Sequence, residues 1–166
     1  MSDADGTSSK SPAKGPAKSK KPSRTEMKRE ARSFALQALY QWHMAGSTLG
    51  AIEAEFRAEN DMSRADMKLF SGLLHGVPSR STELDLAFSP YLDRKLEDLD
   101  PIELTVLRMG SYELAAMIDV PYKVAINEAV NLAKIFGATE SHKYVNGILD
   151  RVARDLRAPE VGGAKR

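Results

Sequence analysis

Two short stretches of this sequence carry side chains suited to holding a polyanion. The first is Lys28, Arg29 and Arg32. Lys28 and Arg32 stand one helical turn apart and share a face. Cations in the first turns of a helix oppose its dipole, at a few tenths of a kcal/mol each. That cost makes sense if an anion docks there, and Glu26 and Glu30 offset only part of it. The second stretch is Ser141, His142, Lys143 and Tyr144, with Glu140 at its edge. It places a hydroxyl, a cation and an aromatic ring beside the free N–H groups of a helix start, which accept phosphate. Single-stranded RNA is read by aromatic stacking joined to basic contacts, so both stretches are candidate RNA contacts. The plain alternative for the second is an ordinary helix start with a half-buried tyrosine.

Catalysis has no comparable footing. There is no Gly-rich phosphate loop and no Gly-x-Ser-x-Gly elbow. The chain has no cysteine, and His43, His75 and His142 are too far apart to pair on one helix. Glu97, Asp98 and Asp100 flank a helix start, where the dipole favours acids. A non-catalytic protein without metal or cofactor is the expectation.

The elements that must position these residues are helical. At 42% hydrophobic and 28% charged, the chain has the make-up of a soluble globular domain. Residues 1–32 hold nine Lys/Arg against four acids, whereas the other 134 hold 15 against 19. A basic arm on a mildly acidic body suits a polyanion partner. Residues 1–24 are Ser, Lys, Ala, Pro and Gly without apolar period, and are read as a disordered basic tail. No secretory signal pattern and no membrane-length apolar run is present, so a cytoplasmic, membrane-free protein is expected.

From residue 25 the apolar period is that of helices throughout. Helices are expected at 25–44, with Phe34, Ala35, Ala38, Leu39 and Trp42 inward and Gly46 as the stop, and at 48–60 behind Ser47 or Thr48. A third is expected from Ser63, where Ser63 and Asp66 have capping-box spacing. Pro78 should kink or split it, leaving a fourth segment over 79–92. Asp100, Pro101 and Glu103 give the clearest start signal, with Asp as cap, Pro in the first turn and Glu103 reaching back. The helix that follows, 101–118, is apolar all round and therefore central. Ile102, Val106, Met109 and Glu113 share one stripe of it; Leu104, Leu107, Leu114 and Ile118 share another. Helices at 121–136 and 140–156 complete the domain, and 158–166 is expected to be a flexible tail.

Three blocks also resemble the NusB family of bacterial transcription antitermination factors. They are DVPYKVAINEAVNLAKIFG at 119–137, SHKYVNGILD at 141–150, and REAR at 29–32 followed by ALYQW at 38–42. The resemblance spans about residues 26–157. It implies an all-α, single compact domain of about seven helices in two packed helical subdomains over residues 25–157. It implies binding to the boxA element of nascent ribosomal RNA leaders together with NusE, a small-subunit ribosomal protein. The pair then serves an RNA polymerase elongation complex with other Nus factors. Lys28, Arg29, Arg32 and residues 140–144 become RNA-contact candidates, and Tyr40, Glu97 and Glu103 resemble the NusE-facing surface. Three departures stand out. Glu26 and Glu30 interrupt the basic cluster, the 1–24 extension is not part of the family pattern, and Pro78 falls inside the long middle helix. The alternatives are a module of an RNA methyltransferase, whose Gly-rich α/β domain has no counterpart here, and a protein–protein scaffold without RNA. Monomer and homodimer are both compatible with the sequence.

Overall fold

The computed structural model describes residues 20–163; the expected disordered tail lies almost wholly outside them. Eight α-helices and no strands occur among the described residues. They are α1 (Arg24–Ala45), α2 (Leu49–Glu59), α3 (Met67–Ser79), α4 (Ser81–Phe88), α5 (Pro101–Ala116), α6 (Tyr122–Phe136), α7 (Ser141–Leu156) and α8 (Ala158–Gly163). Two 3-10 turns, Ser89–Tyr91 and Leu96–Asp98, join α4 to α5.

Capping explains most of the boundaries. Ser23 caps α1 in a capping box whose third helical residue is Glu26: the Glu26 N–H donates to Ser23 Oγ at 3.0 Å and the Ser23 N–H to Glu26 Oε1 at 2.7 Å. Glu26 is therefore part of the capping box of the basic helix, not merely a break in its charge. Gly46 closes α1 at φ +70°, in the left-handed region where glycine carries no Cβ penalty. Thr48 caps α2 through the Ala51 N–H.

Three boundaries differ from expectation. The third helix starts at Met67, because Asp66 is itself the cap, accepting from the Leu69 N–H at 3.0 Å; Ser63 instead donates its N–H to Asp61. Pro78 sits in the last turn of α3, and the split expected there falls at Arg80, so the fourth helix is only Ser81–Phe88. Helix α5 ends at Ala116, which leaves Ile118 in the following turn and 66% exposed rather than in a core stripe.

α1 to α3 pack as one layer and α4 to α8 as a second, joined across α5. α5 is the central helix: Val106, Leu107, Met109 and Leu114 are fully or almost fully buried. A Cβ at Gly110 would stand 2.6 Å from Leu149 Cδ1 and 3.3 Å from Ala129 Cβ, so glycine there lets α5, α6 and α7 meet closely. Val145, Ile148, Leu149 and Val152 of α7 are all at most 3% exposed, each contributing roughly 1.5–3 kcal/mol of burial.

The segment after Leu156 is ordered by hydrogen bonds rather than by apolar pattern. Arg157 is buried, and its guanidinium donates to the carbonyls of Glu113, Leu114, Met117 and Val120 at 2.8–3.2 Å. These are the end of α5 and the turn after it, where a cation is favoured; the Glu113 and Met117 carbonyls also accept the Met117 and Val120 N–H groups. Arg157 also pairs with Glu160 at 2.6 Å, and Glu160 in turn accepts the Tyr122 N–H at 2.9 Å. One short helix thus clips the end of α5 to the start of α6.

Candidate nucleic-acid interface

The basic start of α1 separates into two sides. Lys28 lines an open cleft with Arg24, Asp66 and Lys68. Arg29 lies on the opposite side, over α6, and donates from Nε to both Glu128 carboxylate oxygens at 3.1 and 3.2 Å. Its side chain keeps 56% exposure while Glu128 keeps 9%. Arg32 lies beneath both. It is 4% exposed and grips Glu113 in a two-bonded pair at 2.8 Å each, with Glu128 at 3.9 Å. Burial works to lower the Arg32 pKa, but the Glu113 hydrogen bonds and the charges of Glu113, Glu128 and Asp66 outweigh it and raise it. The anions answering Arg29 and Arg32 are thus two carboxylates of the protein itself. Sequence reasoning missed them, although a glutamate inside an apolar stripe of the central helix, Glu113, was a usable signal.

The start of α7 is built differently. Glu140 precedes it at φ 76°, an unusual left-handed conformation for a residue other than glycine. No side chain caps the helix. Lys143 is exposed and held loosely by Glu140 at 2.9 Å; His142 is half-buried. Ser141 is buried, and its hydroxyl donates to Glu103 at 2.6 Å. The sequence reading puts Ser141 and Glu103 on different surfaces, and the structure joins them. Glu103 is 9% exposed and does not complete a capping box. Asp100 accepts from both the Ile102 and Glu103 N–H groups, and the Glu103 carboxylate turns inward to the Ser141 hydroxyl.

Tyr144 is held at its hydroxyl and on one ring face. Its hydroxyl donates to Asp93 at 2.8 Å and accepts the Asp93 N–H at 3.3 Å. Arg94 stacks on the ring, its Cζ 4.8 Å from the centroid. Arg94 hydrogen bonds first, and the Tyr144 hydroxyl second, hold the Asp93 carboxyl down at about 2. A second pair repeats the arrangement along α7, with Arg151 over Tyr91 at 4.9 Å and the Tyr91 hydroxyl on Asp155. Nothing in the sequence pattern marked Arg94, since the loop that carries it reaches Tyr144 only in the fold.

The two basic regions are not merged. Arg32 bonds Glu113 and Ser141 bonds Glu103, and these glutamates stand ten residues apart on α5, a rise of ~15 Å. On the far half of α1, Tyr40 lines an apolar groove of about 580 Å³ with Leu36, Met44, Ile102 and Phe136. Glu97 is exposed on the turn just before α5. Among the described residues no cluster of three or more His, Asp or Glu could hold a metal, and no helix is long and apolar enough to cross a membrane.

The NusB family model matches residues 29–154, from Arg29 through the whole of α6 and most of α7. The chain belongs to the NusB family. The transcription antitermination protein NusB of Pseudomonas entomophila (strain L48) is 54% identical over 151 residues, covering 91% of each chain. That of Hahella chejuensis (strain KCTC 2396) is 54% identical over 140 residues, covering 84% of this chain and 94% of its own. A solved structure of T. maritima NusB aligns with TM-score 0.60 and 31% identity, over 76% of this chain and 90% of that one. The all-α NusB architecture expected from the sequence is thereby established, with α8 as an addition to the helices foreseen.

Proposed function

We propose that this chain is a transcription antitermination factor acting in the cytoplasm. It binds the boxA element of nascent ribosomal RNA leaders together with NusE. With other Nus factors it helps RNA polymerase elongate through terminators, without a catalytic step of its own. The observation that carries the RNA reading is the start of α7: a 16-residue helix with no side-chain cap, next to an exposed lysine and an anchored aromatic ring. The His142 N–H, left without a backbone acceptor, and Lys143 suit a phosphate, and the ring suits a neighbouring base.

Roles then divide among the candidates. Lys143 and His142 contact the backbone, Tyr144 supports a base, and Lys28 and Arg29 extend the electrostatic surface along α1. Arg32 and Ser141 act from beneath, as positioning residues whose buried bonds fix α1 and α7 to α5. Tyr40, its apolar groove and Glu97 form the NusE-facing side. Glu103 links that side to the RNA side through Ser141, so partner docking at the α5 start bears directly on the α7 start.

The test is amide chemical-shift mapping with boxA RNA and NusE added separately and together. RNA should perturb residues 140–144 and 28–29, and NusE should perturb Tyr40 and Glu97. RNA perturbations that leave 140–144 untouched would reject the assignment.

A further inference from the structure

We propose that Arg94, stacked on Tyr144, is a base-stacking platform for single-stranded RNA; this rests on the RNA reading above. Arg94 carries a charge, yet the geometry does not leave that charge free. Asp93 takes its Nε at 2.6 Å and its second nitrogen at 3.1 Å. A guanidinium paired in this way has its charge offset by Asp93 and two of its five N–H donors taken. What it still presents is a plane. Tyr144 backs one face of that plane at 4.8 Å, and 43% of the Arg94 side chain remains exposed.

The plane is also fixed in place. Asp93 is bonded through its carboxylate and its N–H to the Tyr144 hydroxyl, so Arg94, Asp93 and Tyr144 form one closed cluster. Tyr144 belongs to the first turn of α7, beside the His142 N–H and Lys143 proposed to hold a phosphate. A nucleotide with its phosphate at that helix start has its base within reach of the Arg94 face. Bases stack on arginine planes as they do on aromatic rings, and a base there would continue a Tyr144–Arg94–base stack. Specificity from such a platform is weak, because every base has a π face.

The experiment is a fluorescence titration of labelled boxA RNA with NusE present, at several salt concentrations, for wild type, Arg94→Ala and Arg94→Lys. Arg94→Ala should weaken binding by roughly five- to a hundredfold, the range for losing one stacked base. Arg94→Lys should weaken it nearly as much, because it keeps the charge and loses the plane. The salt slope should stay at the wild-type value in both. Wild-type affinity in Arg94→Lys, or a slope reduced by about 0.7 in Arg94→Ala, would make Arg94 a phosphate contact and overturn the proposal. So would unchanged affinity in Arg94→Ala. Wild type failing to bind RNA at all would instead reject the RNA reading, and this inference with it. Arg94 is exposed, and matching thermal melts of the three proteins verify that the fold is retained.

Discussion

A guanidinium with 4% exposure must bring its counter-charge inside with it, and Arg32 does so through Glu113. Such a pair is a poor source of net stability, but removing one partner leaves a buried charge alone. Glu113→Ala should therefore lower the unfolding free energy by ~3–5 kcal/mol, read by denaturant titration; a fall of less than about 1 kcal/mol would mean the pair is solvated. Arg29 and Glu128 are a different case, since one partner is 56% exposed. Any phosphate that recruits Arg29 competes with a carboxylate already in place. Glu128→Gln should free Arg29 and tighten RNA binding by up to roughly fivefold, the equivalent of ~1 kcal/mol for a half-exposed pair. A weakened affinity in that variant would show that Arg29 serves the fold alone. The sequence made the cations of α1 legible but not their partners. Glu113 and Glu128 are 81 and 99 residues away, and only Glu113, sitting in an apolar stripe, hinted at an interior role.

At the scale of elements, seven helices were legible because each has an apolar face with helical period and most have a capping residue. The misplacements came where two signals competed. Ser63 and Asp66 have the spacing of a capping box, but Asp66 is the better cap and takes the position itself. Ile118 continues an apolar stripe on paper, but α5 has already ended at Ala116. The eighth helix was illegible for a physical reason: APEVGG contains a proline and two glycines and has no amphipathic face. Tertiary hydrogen bonds hold it, from Arg157 to the α5 carbonyls and from Glu160 to the Tyr122 N–H. Arg157→Ala should thus lower stability by ~2–4 kcal/mol, as several charge-assisted bonds to buried carbonyls disappear together. Thermal melting checks this, and an unchanged melting temperature would mean that water replaces the guanidinium at no cost.

Across the whole molecule, α5 is the member that relates the surfaces to one another. Its start carries Glu103 and adjoins the Tyr40 groove, while its last turns carry Glu113. The α1 and α7 basic regions are held to opposite ends of one rigid helix, so a strand touching both must run the length of α5. The family blocks in the sequence indicated both regions, and the RNA-contact residues among them still divide into surface and support only once burial is known. Arg32 and Ser141 are support; Lys143 and His142 remain at the surface. The proposed RNA grip depends most on the α7 start holding a phosphate. It is tested most directly by fluorescence anisotropy of labelled boxA RNA with NusE, titrated across salt for wild type and for His142→Ala/Lys143→Ala. Wild-type binding should be salt-sensitive. The double variant should bind more weakly, its slope shallower by about 0.7 for each phosphate it no longer neutralises. Equal affinity and equal slope in the two proteins would contradict that grip.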